Sequence, residues 1–223
     1  MKLWNVMAVG TLIWPCATAV YADEAPATVS LQFSGIKYVH TDKTSKFGGS
    51  EAKSKTQTYA TSDLVDASLW VTVDKFNFYV YPFQDASALF SASYMVRDNF
   101  EWGFDFGYNS SKEDSPKNKS DRNIYGTFGT YYCNAGPISL ENTLIFDLTK
   151  SSTLTTAETG AESEDSLKGN FFKAAVVGLY PLTKNAWYFA GINYSIQNDK
   201  DNNGRTEEFH QASVTLAGLR VTL

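Results

Sequence analysis

Between Asn99 and Asn109 the chain reads N-F-E-W-G-F-D-F-G-Y-N, with Phe100, Trp102, Phe104, Phe106 and Tyr108 at every second position. Glu101, Gly103, Asp105 and Gly107 fall between them. Successive side chains of a β-strand point to opposite faces, so this segment has one aromatic face and one that is acidic or bare. The acidic face needs water or fixed partners, and the aromatic face needs hydrocarbon. A strand that crosses a membrane in a closed barrel is divided in this way, apolar outward and polar toward the lumen. A soluble barrel holding an apolar ligand would instead turn Phe104 inward.

The start of the chain fits an exported protein. Lys2 precedes a mostly apolar run over residues 3–13, then small residues ending in Val20, Tyr21 and Ala22, then acidic Asp23 and Glu24. This is the order of a secretory signal peptide, with cleavage expected after Ala22 and Ala19 as the other candidate. The expected organisation is therefore a signal peptide at 1–22 and a single barrel domain at 23–223. Ile13, Trp14 and Pro15 before Cys16 do not form a lipidation site. With Cys16 removed, Cys133 remains alone, so no internal disulfide is expected in the mature chain. The formal net charge is −5, with no basic cluster that would follow a nucleic-acid backbone. Beyond the signal no apolar run approaches the length of a membrane-spanning helix. A chain of this kind crosses a membrane only as a closed barrel, because hydrocarbon cannot satisfy an open sheet edge.

The connections fall into two classes. Residues 41–57, 110–122, 150–168 and 198–206 are long or rich in polar and small residues, and read as loops. Residues 97–99, 134–137 and 181–185 carry the Asp, Asn, Gly and Pro of short turns. Long loops outside and short turns inside is the asymmetry of outer-membrane barrels, which places both termini in the periplasm. Crossings are expected at 100–108, 123–133, 138–149, 170–180, 186–197 and 211–223. A first strand starts at Val29, Leu31 and Phe33, then changes face at Ile36, Tyr38 and His40, which points to a β-bulge near Gly35. Residues 58–73, 76–83 and 88–96 complete the count. The fold class is all-β, a single antiparallel up-and-down transmembrane β-barrel of ten strands, with eight as the alternative.

The signal peptide, the Y-M-V-R-D-N-F-E-W-G-F-D-F-G-Y hairpin from Tyr94 to Tyr108 and the last strand resemble the small outer-membrane β-barrel proteins of Gram-negative bacteria. That group includes the OmpA transmembrane domain and the OmpX and OmpW families. The resemblance implies a bacterial outer-membrane location, outer-membrane lipid as the surroundings, and recognition of the last strand by the barrel assembly machinery. Here that signal would be Leu219, Val221 and Leu223, ending in Leu where the group has an aromatic residue.

The alternation assigns Phe100, Trp102, Phe104, Phe106, Tyr108, Leu140, Leu144, Phe146 and Leu148 to lipid. It assigns Glu101, Asp105, Glu141, Asp147, Lys173 and Arg220 to the lumen, where mixed charges in a narrow barrel read as a paired network that fills it. Trp102, Trp187 and Tyr188, just above short turns, suit a membrane interface. The two histidines, His40 and His210, are expected at one rim when first and last strands pair, with Asp42, Asp201, Glu207 and Glu208 nearby. General-base chemistry needs a fixed partner, and no spacing to Ser or Asp supplies one. No phosphate loop, paired-cysteine motif or nucleophile elbow occurs, so no catalytic, metal or cofactor residue is assigned. The expected function is a structural or surface-interaction barrel with a largely plugged lumen. The alternatives are a small channel or an outer-membrane hydrolase with a histidine rim.

Overall fold

The computed structural model describes residues 17–18, 28–34, 37–60, 68–82, 88–114, 117–156 and 162–223. The predicted cleavage point after Ala22 lies outside them. Ten antiparallel crossings run through the chain. The first, β1, is built from Thr28–Ser34 and Lys37–Phe47, and β2 from Ser50–Ala60 and Ser68–Val73. There follow β3 (Phe76–Pro82), β4 (Ala88–Arg97), β5 (Phe100–Asp114), β6 (Lys117–Ala135) and β7 (Ile138–Thr156). The last three are β8 (Glu162–Thr183), β9 (Ala186–Asp201) and β10 (Thr206–Thr222). Each pairs with its neighbours in sequence, and β1 closes the cylinder, with Leu31 opposite Leu69 of β2 on one side and Val221 of β10 on the other. The backbone N–H of Leu223 donates to the carbonyl of Val29 at 2.8 Å, which puts the last strand and the start of the first at one end. The barrel therefore has the ten strands expected, and the eight-strand alternative is set aside.

The four segments read as loops are mostly strand, and this corrects the sequence reading. Residues 41–57 form a hairpin turned by Gly48 and Gly49, both at positive φ (55° and 84°), as a two-residue turn requires. β5 continues to Asp114, β7 to Thr156, β8 starts at Glu162, and β9 reaches Asp201. Where both faces of a sheet are wet, polar residues occupy both, so the apolar alternation ends while the hydrogen-bond ladder continues. Thr153, Thr155 and Thr156, β-branched, keep it favourable for strand. The wall is uneven, because β3 and β4 are joined by only residues 83–87.

The change of face in β1 has a physical origin that sequence placed on one strand only. Phe189 of β9 opposes Gly218, whereas Gly191 opposes Thr215, so β10 carries one extra residue there. Below the bulge Arg220 is buried, and above it Ser213 is. β1 follows in register, with Ser34 opposite Gly218 and Lys37 opposite Thr215. The bulge expected near Gly35 falls on residues 35–36, outside the described ones, and β1 and β10 step together past that level.

Ala17–Thr18 pair with Asn134 and Cys133 at the end of β6. Cys133 is wholly buried.

Candidate functional site

The lower end of the lumen, toward the turns at residues 74–75, 98–99, 136–137 and 184–185, is packed. Glu101, 2% exposed, projects inward from β5 and accepts from Tyr79 Oη at 2.9 Å, Tyr132 Oη at 2.7 Å, Ser93 Oγ at 2.9 Å and Asn77 Nδ2 at 2.6 Å. Four neutral donors from three strands, β3, β4 and β6, thus solvate one buried carboxylate. Beside them Arg220 of β10 donates two parallel bonds to Glu141 of β7, at 2.6 and 2.8 Å, and two more to Gln32 Oε1. Such a fork is the strong form of an Arg–carboxylate contact. The guanidinium also lies over the Trp70 ring at 3.8 Å, and Trp70 meets Tyr79 edge-on. Phe128 completes the layer against Tyr79.

Above this layer the lumen opens into a cavity of about 540 Å³, which Asp105, Arg122, Asp147, Thr149, Lys173 and Asn193 help to line. Asp105 accepts from Ser91 Oγ. Gly126 stands between Asp105 and Asp147 in the cross-strand register, and a Cβ there would overlap the Asp147 carboxylate. Gly126→Val is therefore expected to destabilise the barrel by about 1–3 kcal/mol through overpacking, read as a shift in the urea midpoint of the detergent-folded protein.

All six charged residues assigned to the lumen from sequence line this space. Arg220 with Glu141 is a direct pair, whereas Glu101 is held by hydroxyls and an amide. Tyr79, Tyr132, Ser93 and Asn77 were missed by the sequence reading. Their signal was the same period-two inward phase that placed Glu101 inside.

The outer wall is the inverse. Trp102, Phe104, Phe106 and Tyr108 are each about half exposed, as are Leu144, Phe146 and Leu148 of β7. Phe100 and Leu140 lie on the same face lower down, partly covered. The belt continues around the cylinder through Phe172, Tyr188, Ile192 and Leu219, and Leu223 is exposed at the C-terminus.

The two histidines lie on neighbouring strands toward the tall end, with Ala212 opposite His40 and Asp42 opposite His210. His210 Nε2 is 2.8 Å from Glu208, and its Nδ1 is 2.7 Å from Tyr194 Oη. His40 Nε2 is 3.2 Å from Asp42. Each ring is thus tied to a carboxylate of its own strand, and no serine hydroxyl bonds to either among the described residues. Higher up, burial disfavours the charge on Glu207, but Lys43 at 3.1 Å and Arg205 outweigh it and hold its carboxyl below the ordinary range.

No family model and no curated protein matches this chain. Among solved structures, Neisserial surface protein A is 16% identical, covering 89% of this chain and 99% of that one, with a TM-score of 0.37. The translocator domain of the autotransporter NalP from Neisseria meningitidis is 15% identical, covering 98% and 93%, with a TM-score of 0.37. Ail of Yersinia pestis, in complex with the heparin analogue sucrose octasulfate, is 11% identical over 88% and 99%, with a TM-score of 0.32.

Proposed function

We propose that this chain is an integral outer-membrane β-barrel with a structural or surface-interaction role. In this reading the turns at residues 74–75, 98–99, 136–137 and 184–185 and both termini are periplasmic, the tall strands project outside, and residues 1–22 are a removed signal. The observation that carries this is the inversion of the barrel. Exposed aromatic and aliphatic side chains girdle the outside while Glu101, Asp105, Glu141, Asp147 and Arg220 are buried inside. A wet exterior would oppose the first arrangement, and hydrocarbon around a closed cylinder favours both. Phe100, Trp102, Phe104, Phe106, Tyr108, Leu140, Leu144, Phe146 and Leu148 face lipid. Leu219, Val221 and Leu223 of the last strand form the segment offered to the barrel assembly machinery.

The layer of Glu101, Arg220, Glu141, Trp70, Tyr79 and Phe128 closes the periplasmic end, so conduction through the wild-type lumen is small. The cavity above that layer supports a second reading as a small channel whose gate is the same layer. Planar-bilayer recordings separate the two. The plugged barrel shows no stable conductance, and Arg220→Ala with Glu141→Ala opens one. A large steady conductance in the wild type would overturn the plugged reading.

A further inference from the structure

One row of the cross-strand register stands apart electrostatically. Lys150 of β7 lies opposite Lys168 of β8, and Lys168 opposite Lys200 of β9. Lys200 lies opposite Thr206 of β10, and Thr206 opposite Lys46 of β1. All four lysines are exposed. They share the outer phase of their strands, as Leu148 and Lys150 flank buried Thr149. Directly opposed residues have Cβ atoms only ~4.5–5.5 Å apart, so like charges there repel and destabilise the sheet. Lys46 has Glu51 at 3.3 Å. No carboxylate lies within ion-pair distance of Lys150, Lys168 or Lys200 among the described residues. A groove of about 420 Å³ runs along the row, with Lys46, Lys168 and Lys200 in its lining beside Asp199, Glu207 and Glu208, of which Glu207 is already paired with Lys43 and Arg205.

The depth of the row is equally specific. Lys150 stands one outward position above exposed Leu148, the top of the apolar belt on β7. Exposed Phe172 lies two outward positions below Lys168. With ~3.3 Å per residue and a strand tilt of ~40°, Lys150 is ~30 Å above the turn at 136–137, near the far border of a bilayer core. Lys168, Lys200 and Lys46 then step upward with the tilt. Uncompensated cations at that height meet headgroups rather than acyl chains.

We propose that the lysine row is a docking surface for the phosphate groups of an anionic glycolipid in the outer leaflet, held around the β7–β9 face and into the groove beside β1. The inference rests on the outer-membrane reading above and adds the lipid class and the contact. Phosphates supply the ion-pair partner that Lys150, Lys168 and Lys200 lack among the described residues, and successive lysines reach successive phosphate oxygens as the row climbs.

The test titrates detergent-folded protein with fluorescent diphosphoryl lipid A and with the same lipid stripped of phosphate. Wild type should prefer the phosphorylated form. Lys150→Gln, Lys168→Gln and Lys200→Gln together should weaken its binding by about tenfold or more, and added salt should do the same. Lys75→Gln with Lys184→Gln, at the short turns, should change it less than about twofold, the scale of screened surface charges. Equal binding of the two lipids, or an unchanged triple variant, would overturn the proposal. So would a triple variant that loses heparin fragments but keeps lipid A, which would make the row a site for a soluble polyanion. Membrane fractionation of the same variants tests the location separately. A barrel outside the outer membrane that still selects lipid A through these lysines would sink that reading and keep the contact. An outer-membrane barrel without the preference would sink the contact alone.

Discussion

Arg220→Leu alone should cost the folded barrel about 3–5 kcal/mol, because it strands the Glu141 carboxylate in the lumen with its charge uncompensated. The loss should be largely recovered in the double variant Arg220→Leu, Glu141→Leu, which removes both charges and leaves apolar side chains beside Trp70. Unfolding in urea, followed by tryptophan fluorescence in detergent micelles, measures both, and Trp70 reports the layer directly since the guanidinium lies 3.8 Å from its ring. A single variant within about 1 kcal/mol of wild type would show that the pair is wetter than its bidentate geometry implies. A double variant as damaged as the single one would show that Gln32 and Trp70 depend on the guanidinium itself.

Phe104→Arg should destabilise the barrel by about 2–4 kcal/mol in a lipid bilayer, since it places a cation on the outer wall near the middle of the apolar belt. Asn198→Arg, exposed on the same outer phase but above that belt, should cost no more than about 1 kcal/mol. Folding yield into lipid vesicles across a urea series distinguishes them. Equal effects at the two positions would mean that the aromatic girdle does not face hydrocarbon.

The part of the fold legible in the sequence is the part where the two faces of a strand meet different media. Phe100 to Tyr108 alternates cleanly, and Ile138 to Leu148 does so apart from Asn142 and Ile145, because one face is apolar and the other buried and mostly polar, and their inward charges could be named in advance. Above Tyr108 and Leu148 the same strands continue with polar residues on both faces, so the chemical contrast that reveals a strand is lost while its backbone pairing persists. That is why residues 150–168 read as a loop. The lumen layer was half legible. Glu101, Glu141 and Arg220 announced themselves as charges in an inward phase, whereas the pairing of Arg220 with Glu141 joins β10 to β7 across the lumen, and only barrel closure and shear decide which residues meet there. The bulge in β10 escaped because neither Leu216 nor Ala217 carries the mark of one. The lysine row escaped for a related reason. Lys150, Lys168, Lys200 and Lys46 are far apart in sequence, and their alignment exists only in the register.

In the proposed orientation the barrel spans the outer membrane with its tall strand ends outside and its turns at residues 74–75, 98–99, 136–137 and 184–185 inside. Epitope tags inserted singly at Gly49, at Asn203 and at Lys184, probed with antibody on intact and on permeabilised cells, test it most directly. The turns at Gly49 and Asn203 should be reached on intact cells, and Lys184 only after permeabilisation. A tag at Lys184 that is reached on intact cells, with Gly49 and Asn203 silent, would show the opposite orientation and overturn this topology.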